Sequence, residues 1–284
     1  MQPSDEDASV RHLRALGYKD PFEVAARTKS AREQLEADLQ RALTSYQQGS
    51  CDEAVAALVK VVEADREWIA PQQILAEIYY RAGRFADAQR HLTWLTEHGI
   101  ESPRLALIEG AIAIENRALD SAADALEYAA FVDATLPGVN TLLGDVYRRR
   151  GQLEAAEATL GAALAQNAAD AQALDCLAAI RLQQRQYSEA AHFALESLLH
   201  DMQLSRAHYH LGVALLHLGR TAEAITALET SSRINPLSAA PYFWLCRIAH
   251  ESQTERGLAI TYREKAGEIL RTRRALRLSR NPTM

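Results

Sequence analysis

The chain of 284 residues carries 31 Lys/Arg against 37 Asp/Glu, a net charge of −6, and only 6% of it is aromatic. Such mild acidity argues against a general nucleic-acid binder, and so few aromatics argue against one large aromatic-rich core. Abundant Ala, Leu, Glu, Gln and Arg, with only 13 Gly and 8 Pro, lean the composition towards helix.

The N-terminal stretch MQPSDEDASV is acidic and has no apolar core, so no signal peptide is expected there. Nowhere do 18 or more apolar residues run together, so no membrane span is expected, and the expected location is the cytoplasm. Residues 1–31 read as an N-terminal extension in which Leu13, Leu16, Tyr18 and Phe22 form an apolar cap on the segment that begins at residue 32.

From residue 32 a period takes over. Ala54, Ala88, Ala122, Ala156, Ala190 and Ala224 succeed one another at 34 residues. Gly49, Gly83, Gly151 and Gly219 keep the same step, and so does a small-residue column of Ala42, Ala76, Gly110, Gly144, Ala178, Gly212 and Cys246. A leucine column runs through Leu58, Leu92, Leu126, Leu160 and Leu228, with Ala194 in the fifth place.

Physically, this pattern predicts two antiparallel helices per repeat. The small columns let the two backbones approach, and the leucines fill the space between one repeat and the next. Gly151 and its counterparts stand where the first helix stops and the chain reverses, a place for left-handed backbone. Two repeats carry Arg117 and Arg185 at that place instead. Pro71, Pro103, Pro137 and Pro241 fall at or near the start of a first helix, where a missing N–H costs little.

After Cys246 the pattern breaks, since Leu258 occupies the expected alanine position. The array is placed at residues 32–275, closing with a polar-faced last helix, and residues 276–284 are a basic tail. From Arg247 onward there are nine Lys/Arg against four Asp/Glu, which read as a solvated face.

The pattern resembles the tetratricopeptide repeat. Gly144, Tyr147, Ala156, Leu160 and Ala163 fit five of the six positions that define that family, and Gly212, Ala224, Leu228 and Pro236 fit another repeat. The resemblance implies an all-α fold, a right-handed superhelix (an α-solenoid) of about seven helix pairs. It further implies a non-enzymatic scaffold or adaptor that binds an extended peptide segment along the concave face lined by the first helices.

Projected onto that face, the groove carries Glu77, Tyr80, Arg81, Asp145, Arg148 and Arg149 centrally. Towards the C-terminus it carries Arg206, Tyr209, His217, Phe243, Arg247 and His250, with His210 and Trp244 beside them. Cations interleaved with aromatics suit an acidic extended segment. Ile108, Leu142, Asp145 and Cys176 stand where the family's chaperone-tail clamps carry Lys and Asn, which disfavours that role. A second resemblance is shorter. VRHLRALGYKDP, Val10 to Pro21, is similar to the junction where sulfatase- or phosphodiesterase-like domains of the alkaline phosphatase superfamily give way to such repeat tails. On that alternative the chain is the accessory region of a hydrolase.

No nucleophile elbow, zinc-protease motif, phosphate loop or paired-cysteine motif occurs, so neither catalysis nor a cofactor is expected. Cys51, Cys176 and Cys246 are too far apart in sequence for a metal pair and odd in number for a disulfide framework. His208, His210 and His217 lie on one stretch, but the last two are separated by roughly 10 Å of helical rise, too far to share a metal.

Overall fold

The computed structural model describes the backbone of residues 21–251 and 256–280, and the side chains of residues 29–251 and 257–275. Residues 10–20, most of the stretch that is similar to a hydrolase junction, lie outside the described residues, as do the side chains of Leu13, Leu16, Tyr18 and Phe22. Among the described residues there are fourteen helices and no strand.

The chain divides into two compact units, one up to Glu101 and one from Ser102. The first holds α1 (Pro21–Gln47), α2 (Cys51–Ala64), α3 (Ile69–Arg81) and α4 (Phe85–Glu97). The second holds five further pairs. They are α5 (Pro103–Glu115) with α6 (Leu119–Val132), α7 (Val139–Arg149) with α8 (Leu153–Gln166), α9 (Ala171–Gln183) with α10 (Tyr187–His200), α11 (Ser205–His217) with α12 (Thr221–Ile234), and α13 (Ala240–Glu251) with α14 (Arg256–Arg280). The fold is all-α, with seven helix pairs as the repeat period requires.

The first six pairs are closed by the same turn. In α7, Gly151 N–H donates to Arg148 O at 3.1 Å and Gln152 N–H to Tyr147 O at 2.9 Å, with Gly151 at φ 78°. This pair of bonds satisfies carbonyls that the helix end leaves open. Gly49, Gly83 and Gly219 repeat the motif. Arg117 and Arg185 repeat it too, held at φ 63° and 61° by the same two bonds. The motif therefore survives the loss of its glycine, at the strain cost of a left-handed L-residue.

The leucine column does two things. A Cβ built on Gly144 would lie 2.6 Å from Leu160 Cγ, so the glycine admits the leucine of its own helix pair. Leu126 and Leu228 sit over Gly110 and Gly212 in the same way. Leu160 also clusters with Ala173, Cys176, Leu177 and Ile180 of the next pair, the contact expected from sequence. In the pair that carries Ala178 and Ala194 both members of the contact are small and fully buried, whereas Ala42 and Ala76 keep the leucines Leu58 and Leu92.

Between repeats a further 34-residue column acts. Asp133, Asn167, Asp201 and Asn235 each end a second helix, and each side-chain oxygen accepts the backbone N–H two residues on, at 2.8–3.2 Å. These local turns point the chain into the next first helix. In the last pair the alanine seam shifts by one residue. Leu258 is 45% exposed, whereas Ala259 and Ala266 are buried and Cys246 Sγ donates to Ala259 O at 3.3 Å. One residue more separates Cys246 from its alanine than separates Gly144 from Ala156.

Candidate functional site

In the second unit the first helices α7, α9, α11 and α13 stand side by side, with α7 against α9, α9 against α11 and α11 against α13. The second unit's share of the expected groove residues lies on α7, α11 and α13. Glu77, Tyr80 and Arg81 belong to the first unit, where Arg81 Nη2 lies 2.7 Å from Glu77 Oε1 and Tyr80 tilts against Phe85 at 6.2 Å.

The remaining nine residues form two groups. The first is an ion cluster spanning three helices. Asp145 of α7 accepts from Arg148 and Arg149 at 2.6 Å each, and Arg206 of α11 reaches it at 3.6 Å. Arg206 Nε also lies 3.0 Å from Asp175 Oδ2 of α9, and Asp175 Oδ1 is 2.6 Å from His210 Nδ1. Both carboxylates are buried, Asp175 to 1% exposure. Burial works against their ionisation. For Asp145 the charges of Arg206, Arg148 and Arg149 outweigh it and hold its pKa down to about 2. For Asp175 too, His210 and Arg206 outweigh burial and lower the pKa.

Cys176 sits inside this cluster, 3.7 Å from Asp145 and 3.6 Å from Arg206. Burial and the Asp145 charge push its thiol up to about 12, so it is not a nucleophile at neutral pH. Arg206 is held charged: burial opposes this, but Asp175, Cys176 and Asp145 raise its pKa. No group of three or more His, Cys, Asp or Glu among the described residues is arranged to hold a metal ion.

The second group is an aromatic ladder. Tyr187 of α10 stacks on His217 at 4.2 Å, and the His217 ring meets Trp244 edge-on at 5.8 Å. Trp244 Nε1 donates to Tyr209 Oη at 3.1 Å, and the Arg247 guanidinium lies 4.4 Å over the indole ring. Phe243 is 55% exposed one residue away, and His250 is exposed on the following turn. Arg247 keeps half its side chain exposed, and its pairing with Glu251 is at 3.5 Å.

Sequence reasoning placed the nine residues on one face and missed how they divide. It also missed Asp175 and Tyr187. Asp175 stands 34 residues before Tyr209 and 68 before Phe243, so the period alone marks it. Tyr187 lies on a second helix, where a projection of first-helix positions does not look.

Together, these features define a helical-repeat protein with a preformed side-chain surface on its first helices and no assembled catalytic set among the described residues. A tetratricopeptide repeat model matches residues 75–137 and 177–239, and a second one matches residues 141–162. The chain belongs to the tetratricopeptide repeat family. Its fold is similar to that of a tetratricopeptide repeat protein from Parabacteroides merdae, at 15% identity and a TM-score of 0.65, over 84% of this chain and 93% of that one. PilF of Pseudomonas aeruginosa is similar at 18% identity and a TM-score of 0.59, over 75% and 97%. The structure of the APC/C hetero-tetramer Cut9-Hcn1 is similar at 18% identity and 0.63, over 94% of this chain and 61% of that one. No curated protein sequence matches the chain. The family supports a general role as a protein–protein interaction scaffold. No described helix is long and apolar enough to cross a membrane.

Proposed function

We propose that the chain is a non-enzymatic adaptor whose α7–α9–α11–α13 face binds an extended, carboxylate-bearing segment of a partner protein, anchored at α13. The observation that carries this reading is the Arg247 guanidinium lying over the Trp244 ring with half its side chain open to solvent. Trp244 is itself fixed by Tyr209 and His217, so the guanidinium is presented on a rigid base and little ordering entropy is lost on binding. Exposed Phe243 and His250 flank it, offering apolar contact and a further donor.

The ion cluster plays a different part. Arg148, Arg149 and Arg206 already face Asp145 and Asp175, which cancel much of their charge and brace three helices together. Among the described residues Arg247 has only an exposed Glu251 as a competitor, and exposed pairs of this kind contribute little. A partner carboxylate therefore gains most at the α13 end.

Capture of partners by the intact chain, identification by mass spectrometry and titration against wild type and Arg247→Glu test the reading. A captured partner that binds through a basic or wholly apolar segment, or that ignores Arg247, overturns it.

A further inference from the structure

A different surface lies on the second helices of the same unit. α6, α8 and α10 contain seven carboxylate residues and not one Lys or Arg. Arg150 and Arg181, from outside these helices, pair with Asp120, Glu157 and Glu189, which leaves Asp124, Glu127, Glu154 and Glu196 without an arginine among the described residues. On that acidic background stand large apolar side chains in the open. Phe131 at the end of α6 is 89% exposed and Leu199 at the end of α10 is 82% exposed. They occupy the same place in their repeats, 68 residues apart, and α8 between them presents only Ala165 there. Val132 at 50%, Leu195 at 50% and Met202 at 73% widen the two ridges. Single exposed apolar residues are ordinary, but an aligned set of this extent marks a contact surface.

The opposite chemistry occurs on α14. Ile260, Arg263, Leu270, Arg271 and Arg274 keep helical spacing and fall within about 100° of one face at 3.6 residues per turn. All five are exposed, Ile260 to 61% and Leu270 to 48%. Glu264 and Glu268 flank this face on one side, and Ala259 and Ala266 form the buried seam on the other. α14 thus offers a basic, apolar helix face that its own helix pair does not use.

We propose that a second copy of this chain covers the acidic ridges: the α14 face of one copy docks between Phe131 and Leu199 of the next. Arginines meet carboxylates, and Ile260 and Leu270 meet the apolar ridges. The two surfaces differ, so the contact is head-to-tail, and copies add in a row or close into a ring. This surface is distinct from the groove proposed above and does not depend on it.

Sedimentation of the full chain over a concentration series tests the proposal. Wild type is expected to associate as concentration rises, with affinity falling about tenfold from low to high salt because opposite charges hold the contact. Phe131→Asp with Leu199→Asp, and separately Arg271→Glu with Arg274→Glu, change exposed side chains only; each double variant is expected to be monomeric, with unchanged helical circular dichroism. Mixed together, they are expected to form a one-to-one dimer and nothing larger, since one intact α14 then meets one intact ridge pair. Wild type that stays monomeric, even if the ridges capture a different protein, overturns the proposal. So does association that persists in the arginine variant, which would mean two apolar ridges meeting each other, or a mixture that remains monomeric.

Discussion

Asp175 of α9 and Arg206 of α11 meet at 3.0 Å, although 31 positions separate them in the chain. The same carboxylate takes His210 at 2.6 Å, so one nearly inaccessible acid fixes two side chains of the next first helix. Asp175→Asn keeps the shape and removes the charge, leaving Arg206 with the longer 3.6 Å contact to Asp145. The expected cost is about 2 kcal/mol, below the full penalty of a buried broken pair because Arg206 is partly exposed. Hydrogen exchange should quicken in α9 and α11 and stay unchanged in α12. Uniform exchange with an unaltered melting profile would remove the bracing role.

Acid should loosen the same region. The Asp145 carboxyl lies at about 2 against an ordinary 3.8. A carboxylate with a lowered folded-state pKa contributes stability that is fully present above its unfolded value and is lost as pH falls through the folded one. The window is therefore from about pH 4 down to about pH 2, and the contribution is about 2 kcal/mol. Asp175, also lowered, loses stability in the same direction. Denaturation measured from pH 6 to pH 2 should fall more steeply for wild type than for Asp145→Asn. Parallel curves would count against the assignment.

Arg117 and Arg185 hold left-handed backbone at which four other repeats have glycine. Both side chains are exposed, so replacing them sacrifices no buried contact. Arg117→Gly and Arg185→Gly relieve strain of about 1–3 kcal/mol, offset in part by the greater freedom of glycine in the unfolded chain. Each is expected to stabilise by about 0.5–1 kcal/mol. Thermal melting of the single and double variants checks this; a lower midpoint in either single variant would show that the arginine contributes something beyond the turn.

The regular parts of this architecture were legible because they recur. Six alanines in step and four turn glycines give helix pairs and their reversals without any tertiary knowledge. The Asp133–Asn167–Asp201–Asn235 column was equally periodic but mixes two residue types, so it escapes a search for one letter. The one-residue slip to Ala259 cannot be read from a period that has already ended. The division of the expected groove residues into a neutralised ion cluster and an exposed arginine–aromatic group depends on distances between α7, α9, α11 and α13, which spacing along the chain does not contain. Asp145 and Arg206 both read as ligand contacts from sequence, yet only their 3.6 Å approach reveals that they face each other.

Packing of the alanine column makes a sharper test of the helix-pair geometry. Ala156 is fully buried, and its carbonyl would lie 3.5 Å from a Cβ on Gly144 across the pair. Ala156→Leu is expected to overpack this contact and cost about 1–3 kcal/mol. Ala155→Leu, one position along and exposed, should stay within about 0.5 kcal/mol of wild type. Because the contacts of a repeat array are mostly between neighbours, the damage should appear first as faster exchange in α7 and α8. Equal melting of the two variants would displace Ala156 from the seam.

The groove prediction turns on Arg247. Arg247→Glu reverses the charge beside Trp244 and, on α13, adds an acid four positions before Glu251. An acidic partner segment is expected to lose about 1–3 kcal/mol of binding free energy, the range for charge-assisted hydrogen bonds. Higher salt should weaken wild-type binding mainly through slower association, and the variant, lacking the attraction, should respond less. Phe243→Ala should raise the dissociation rate instead, because an exposed aromatic contributes contact area and not long-range attraction. Reversal of Arg206, whose charge Asp175 and Asp145 already oppose, should damage the fold before it damages recognition. Titration of a captured partner against wild type, Arg247→Glu and Phe243→Ala at two salt concentrations separates these effects. Identical affinities in all six titrations would put the binding surface elsewhere on the molecule.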